Sequence, residues 1–289
     1  MKKKFLFSIF IASFGKIYSQ AVEDKIAIKA CDCLEKSSGI TEDVFRDCLT
    51  ASMSEVILTD NDKKVRESIN TVEGIRDMIQ KVQAATVKKC PKFIPEKPED
   101  KSTVFYADSK NKEAQNAYTV AKDLMRAKNY KAAIENFQIA LKQDPNFVLA
   151  LDDIAVSYRQ LDDYDNAIKY YKKSLEIFPE GDYALMNIGV VYTLKSDFKT
   201  AVEYYEKLIK YQPYNAEGYF GAGKNYFALN DDEKALNNIF TAHRIYTNDK
   251  SDYTKDTEML MGMIYQKMKK ENKEDLFKKI AAANNINIE

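Results

Sequence analysis

From Ala114 onward the chain repeats itself with a fixed period, and this constrains its fold more than any other feature. Pro145, Pro179 and Pro213 are spaced by 34 residues each. The same period aligns Ala133, Ala167, Ala201 and Ala235, and also Phe137, Tyr171, Tyr205 and Ile239. It aligns Ala121, Ala155, Gly189 and Gly223, and a further column holds Leu124, Tyr158, Tyr192 and Tyr226. A short polar turn precedes each alanine: Lys128-Asn129-Tyr130, Asp162-Asp163-Tyr164, Ser196-Asp197-Phe198 and Asn230-Asp231-Asp232. A generic amphipathic bundle has no reason to hold prolines and alanines in phase in this way. Small columns let paired helices approach closely, and large residues such as Leu151, Leu185, Tyr158, Tyr192, Tyr171 and Tyr205 fill the gaps between layers. Proline ends a helix because it cannot continue the hydrogen-bond ladder.

These columns resemble the tetratricopeptide repeat family. The resemblance covers residues 114–249 well and 255–284 loosely, and residues 21–112 lie outside it. It implies an all-α chain whose antiparallel helix pairs stack into a right-handed α-solenoid over residues 113–289, with the first helix of each pair lining a concave face. Departures from the pattern are informative. Ser174 and Leu208 replace the small alanine seen at Ala140 and Ala242, and Leu208 is expected to widen its helix pair locally. The unit at 255–284 is degenerate. Gly262 and Tyr265 fit a first helix, Glu258 stands where a large apolar residue belongs, and Leu276, Phe277 and Ile280 read as a closing helix that caps the array.

On that resemblance the concave face takes Tyr118, Lys122, Met125 and Arg126 from the first unit, and Leu149, Asp152, Val156 and Arg159 from the second. Tyr183, Met186, Val190 and Thr193 come from the third, and Phe220, Lys224 and Phe227 from the fourth. Of these, Tyr118, Lys122, Arg126, Asp152, Arg159, Tyr183, Met186, Phe220, Lys224 and Phe227 are the candidate partner-binding residues. Aromatic and Met side chains with scattered cations suit an extended or helical peptide that carries apolar anchors and an acidic group. The expected partner is a protein or peptide; the Lys/Asn carboxylate clamp of chaperone-adaptor relatives does not line up across these units, so chaperone-tail binding is not inferred.

Residues 21–90 read as a separate small helical unit bearing all the cysteines: Cys31, Cys33, Cys48 and Cys90. Val22, Ile26, Ala30 and Cys33 share one helix face, and Ser37-Ser38-Gly39 breaks that helix. Thr41 reads as an N-cap for a second helix with Val44, Phe45, Cys48, Leu49 and Val56 inside. A third stretch carries Val65, Ile69, Val72, Ile75, Ile79 and Val82 at helical spacing, with Gly74 as a weak point. Cys31 and Cys33 stand two apart on a helix and point away from each other, so they do not bond one another. Two connectivities remain. The favoured one is Cys33–Cys48 with Cys31–Cys90, because Cys33 lies on the apolar face. A four-sulfur zinc site or a thiol-dependent redox centre is the rival use of these residues. The single-residue spacing of Cys31 and Cys33 is poor for zinc, and an oxidising compartment favours bridges.

Export is read from the first residues. Lys2-Lys3-Lys4 precede an apolar run from Phe5 to Phe14, and Ser19 offers a small residue for cleavage, which makes 1–19 a signal peptide. The run is far short of the roughly 20 residues of a membrane-spanning helix, so no integral membrane segment is expected after cleavage, and the mature protein belongs in the periplasm or outside the cell. Lys+Arg and Asp+Glu both number 44. Removing Lys2, Lys3, Lys4 and Lys16 leaves 40 against 44, a net of −4, which disfavours nucleic acid as a partner. Between the two units, residues 91–112 form a charged linker with Pro91, Pro95 and Pro98, in which Phe105 and Tyr106 are expected to pack on a neighbouring domain.

Enzyme chemistry has little support. The lone histidine, His243, falls beside Ala242 and reads as a surface or packing residue. No Gly-rich phosphate loop and no nucleophile–base arrangement is present, and no cofactor is expected. Met259, Met261, Met263 and Met268 read as adaptable core filler in preference to soft-metal ligands. Nothing in the sequence sets the oligomeric state.

Overall fold

A computed structural model describes residues 21–37, 41–59, 63–90 and 101–286. The signal peptide and its cleavage site at Ser19–Gln20 lie outside the described residues, as does the 91–100 part of the linker. All regular structure among the described residues is helical.

Four helices make the N-terminal unit: α1 (Val22–Lys36), α2 (Glu42–Thr59), α3 (Lys63–Ser68) and α4 (Val72–Lys89). Ile26, Ala30 and Leu34 of α1 pack on Phe45, Cys48, Leu49 and Val56 of α2 and on Met78 and Val82 of α4. Cys33 bonds Cys48 across the α1–α2 hairpin, and Cys31 bonds Cys90 beyond the end of α4, with Cα–Cα separations of 5.7 and 5.5 Å. The favoured pairing is the one found. The expected single third helix is instead two. Ser68 ends α3, and the Thr71 hydroxyl accepts from Gly74 N at 3.0 Å to cap α4. A Cβ on Gly74 would lie 1.7 Å from the Ser68 carbonyl oxygen, so this glycine is a requirement of the tight turn and not a weak point. Val72, Ile75 and Ile79 are consequently exposed, because α4 turns Met78, Val82 and Ala85 inward.

The array then runs α5 (Lys112–Arg126), α6 (Tyr130–Gln143), α7 (Val148–Gln160), α8 (Tyr164–Ile177), α9 (Asp182–Leu194), α10 (Phe198–Tyr211), α11 (Ala216–Ala228) and α12 (Asp232–Asn248). The polar turns work by one device. Lys128, Asp162, Ser196 and Asn230 adopt φ of 57–61°, closing the first helix of each pair. The next residue, Asn129, Asp163, Asp197 or Asp231, caps the second helix by accepting a backbone N–H. The small columns are buried where the helices touch. Tyr205 wedges between Gly189 and Gly221, where an added Cβ would stand 2.8 and 2.2 Å from its ring. Leu208 packs against Gly218 of the following unit. Gly218 replaces the Ala150 and Ala184 of earlier units and makes the room.

The last pair is α13 (Thr254–Lys270) and α14 (Glu274–Ala283). Its left-handed turn residue, Asn272, falls 42 positions after Asn230 (272 − 230) instead of 34. Tyr265 and Phe277 thereby occupy the small-column places of Gly223 and Ala235, and their rings meet edge to face at 5.0 Å. Gly262 has no packing role, since nothing lies within 4 Å of a Cβ there.

The N-terminal unit docks on the array. Ala84 and Val87 of α4 join the hydrophobic cluster of α10, α11 and α12, Arg244 donates to the Val87 carbonyl at 3.1 Å, and Lys210 pairs with Asp77. These contacts fall mainly on second helices and leave the first-helix face open. Lys101–Val104 form a single 3₁₀ turn. Phe105 then stacks on Phe178 at 4.2 Å, and Tyr106 meets the same ring edge-on, as expected of this aromatic pair.

Candidate functional site: the first-helix face

Successive first helices α5, α7, α9, α11 and α13 touch one another along the array. That crowding on one side gives the stack its concave face. A ladder of polar contacts links them. Lys122 pairs with Asp153 at 2.8 Å, and the same carboxylate accepts from the Tyr118 hydroxyl at 2.8 Å. Arg159 donates to Asn187 at 3.0 Å, and Thr193 to Asn225 at 3.0 Å. Asp153 and Asn187 are 34 apart (187 − 153), so they continue one repeat column. The sequence carried that signal, but a polar column reads as a solvated face until burial is known.

The structure separates the candidate binding residues into groups. Tyr118, Lys122, Asp152 and Tyr183 converge, with Tyr106, Leu149, Asp153 and Asp182, on a cavity of about 380 Å³ at the N-terminal end of the face. Asp152 is 2% exposed, and neither carboxylate oxygen has a hydrogen-bond partner. Burial pushes its pKa up to about 7. The Ser174 hydroxyl beside it offsets part of that penalty, while Asp153 and Asp182 add to it. Burial, followed by the Asp153 carboxylate, also raises the Tyr118 hydroxyl, and burial raises Tyr183. Ser174 was the odd member of an alanine column; the structure sets it beside the buried carboxylate.

Phe227 belongs to a second hollow of about 660 Å³ at the other end, with Met259, Gly262, Met263, Gln266, Lys267, Lys270 and Glu271. Met268 fills the core as expected, but Met259 and Met263 are 64% and 53% exposed and line this hollow. They were missed as surface residues because the insertion before α13 shifts its register. Lys267 lies over the Phe227 ring at 5.5 Å and pairs with the buried Asp232. Between the two ends, Met186 and Phe220 are half-buried against the core. Lys224 is exposed and makes no ion pair among the described residues. Arg126 points outward, paired with Asp123.

Outside this face, all four cysteines are bridged, which removes the thiolates a zinc site would need. His243 is half-buried with Nδ1 2.8 Å from the Thr257 hydroxyl, and burial lowers its pKa, as suits a packing residue. Among the described residues no helix is long and apolar enough to cross a membrane.

Residues 147–213 match the model of the tetratricopeptide repeat family. Among curated proteins none matches the chain. Solved structures do. MamA from Desulfovibrio magneticus RS-1, in a form from residue 41 to its end, aligns at TM-score 0.51 and 15% identity over 61% of this chain and 95% of that one. A MamA RS-1 ArsTM double mutant gives TM-score 0.51 at 15% identity over 61% and 94%. A further crystal structure of MamA protein gives 0.50 at 17% over 60% and 90%. At such identities the likeness concerns the fold.

Proposed function

Since the chain carries tetratricopeptide repeats behind a cysteine-bearing helical unit, we propose that it is a non-catalytic binding or scaffold protein of the cell envelope that holds a partner segment on its concave face. One observation carries this reading. The first-helix face keeps large apolar side chains at its surface, Tyr183, Met259 and Met263 among them, while the N-terminal unit packs on the second helices α10 and α12. Exposed aromatic and thioether groups in a hollow are costly to hydrate and favour an apolar anchor. Two disulfides suit an oxidising compartment, in agreement with an exported protein of the periplasm or exterior.

The charges give the groove a direction. Lys122 and Arg126 are neutralised by Asp153 and Asp123, so an acidic group on the partner is drawn to the other end, toward Lys224 and Lys270. Arg159 and Phe220 lie between the ends. Arg159→Glu reverses a charge in the polar ladder, and Phe220→Ala removes an anchor contact. Both variants are expected to reduce partner capture from envelope extract at least tenfold while keeping the helical signal of the parent by circular dichroism. Undiminished capture by both rejects the concave face as the binding surface.

A further inference from the structure

The cavity at the N-terminal end of the concave face exists because one repeat column is broken. Tyr118, Asp152, Met186 and Phe220 follow one another at 34-residue steps (152 − 118, 186 − 152 and 220 − 186), and three of the four are large and apolar. Asp152 replaces bulk with a short carboxylate, and about 380 Å³ opens beside it. Three carboxylates face this space, Asp152, Asp153 and Asp182, against a single ammonium, Lys122. Lys122 is already committed to Asp153 at 2.8 Å, and Asp153 also accepts from Tyr118. Asp182 accepts from the Tyr183 N–H at 2.8 Å, a bond that leaves its charge uncompensated. Asp152 has no partner at either oxygen. Tyr106, Tyr118 and Tyr183 supply aromatic walls, and Leu149 an apolar one.

From this arrangement we propose that the cavity receives a lysine or arginine side chain of the partner segment, its alkyl stem against the tyrosines and Leu149 and its cationic head between Asp152 and Asp182. An anionic group is repelled by Asp182 and by Asp152 in its ionised form. A purely apolar group would leave Asp152 buried and unpaired. An ammonium or guanidinium meets both demands, and electron-rich ring faces attract it further. A metal ion fits less well, because the described residues hold no cluster of three ligating groups close enough to share one. Tyr183, at 39%, is the most exposed of the walls. The assignment rests on the concave-face reading and adds a polarity to it: the basic residue of the partner sits over α7 and α9, and its apolar and acidic residues sit toward α11 and α13.

Nα-acetyl-lysine N-methylamide and n-butylguanidinium serve as probes of the full mature chain, with Nα-acetyl-norleucine N-methylamide as the uncharged match. Both cations are expected to perturb the backbone amide resonances of residues 149–153 and 182–183 saturably, and norleucine is expected to leave them unmoved. Asp152→Asn and Asp182→Asn should each weaken the cations at least tenfold, while Asp165→Asn, on an outer helix, should not. Equal binding of the norleucine probe, no perturbation by either cation, or undiminished binding in both pocket variants overturns the assignment. Failure here with loss of partner capture in Phe220→Ala leaves the concave face standing and removes only the pocket. Cation binding without any effect of Phe220→Ala or Arg159→Glu on capture keeps the pocket and removes the wider groove.

Discussion

The N-terminal unit and the repeat array are both helical, yet they hold together by different means. In the first, one small core serves α1, α2 and α4, Ile75, Ile79 and Leu58 stay at the surface, and two disulfides span 59 and 15 residues. In the second there is no cysteine after Cys90, and each layer is secured by small-to-large packing between columns. The difference follows from size. A short helical unit cannot bury enough apolar surface to offset its chain entropy and gains from restricting the unfolded state. A stack of repeats adds a new interface with every unit and needs no such cross-link.

The contrast predicts that the two parts answer to different conditions. Reducing both bridges should destabilise the N-terminal unit most, by about 4 kcal/mol for the longer loop and about 3 for the shorter in the chain-entropy picture. Denaturant unfolding with and without reductant reads this, and the helical transition of residues 112–286 should persist. If the whole chain unfolds together on reduction, the docking of α4 couples the parts too tightly for the distinction to hold. The array should respond to pH instead. The pKa of Asp152 is raised from 3.8 to about 7 on folding, so the folded state holds a proton that the unfolded state has released. That stabilisation is fully present below about pH 4 and is lost as pH rises through 7, amounting to at most about 4 kcal/mol at roughly 1.4 per pH unit. Asp152→Asn should flatten the slope and leave the protein more stable at pH 8 than the parent; an unchanged slope between pH 5 and 8 excludes Asp152 as its source.

Smaller effects test the column packing itself. Gly221→Ala sets a methyl 2.2 Å from the Tyr205 ring and should cost about 2 kcal/mol. Gly262→Ala meets nothing and should gain about 0.5–1 kcal/mol from the lower entropy of the unfolded chain. A thermal melt showing the same sign for both would mean that glycine in this array marks helix propensity and not contact.

Much of the molecule was legible in advance, and the failures have physical causes. The four regular repeats and their turns follow from spacing, because a helix converts sequence distance directly into angular position; the same geometry excludes a Cys31–Cys33 bond but leaves two cysteine pairings open. The single third helix was wrong at Ile69–Thr71, where a Thr cap and a tight turn against Gly74 outweigh an unbroken apolar period. In the final unit the longer spacing to Asn272 moved Gly262 into the groove and brought Tyr265 and Phe277 together. Of the candidate site, the residues Tyr118, Lys122, Asp152 and Tyr183 were named from the resemblance, but nothing in one dimension told that Lys122 is spent on Asp153 while Asp152 is left alone.

The sequence by itself therefore determined the regular helix pairs and their turns, and excluded a bond between Cys31 and Cys33, since each depends on a short stretch of chain or a fixed period. Only the tertiary structure decided which charges are compensated, which methionines face outward, and that α4 lies against the second helices while the first-helix face stays open. Those outcomes depend on burial and on side chains brought together from distant units, and burial is a property of the assembled stack.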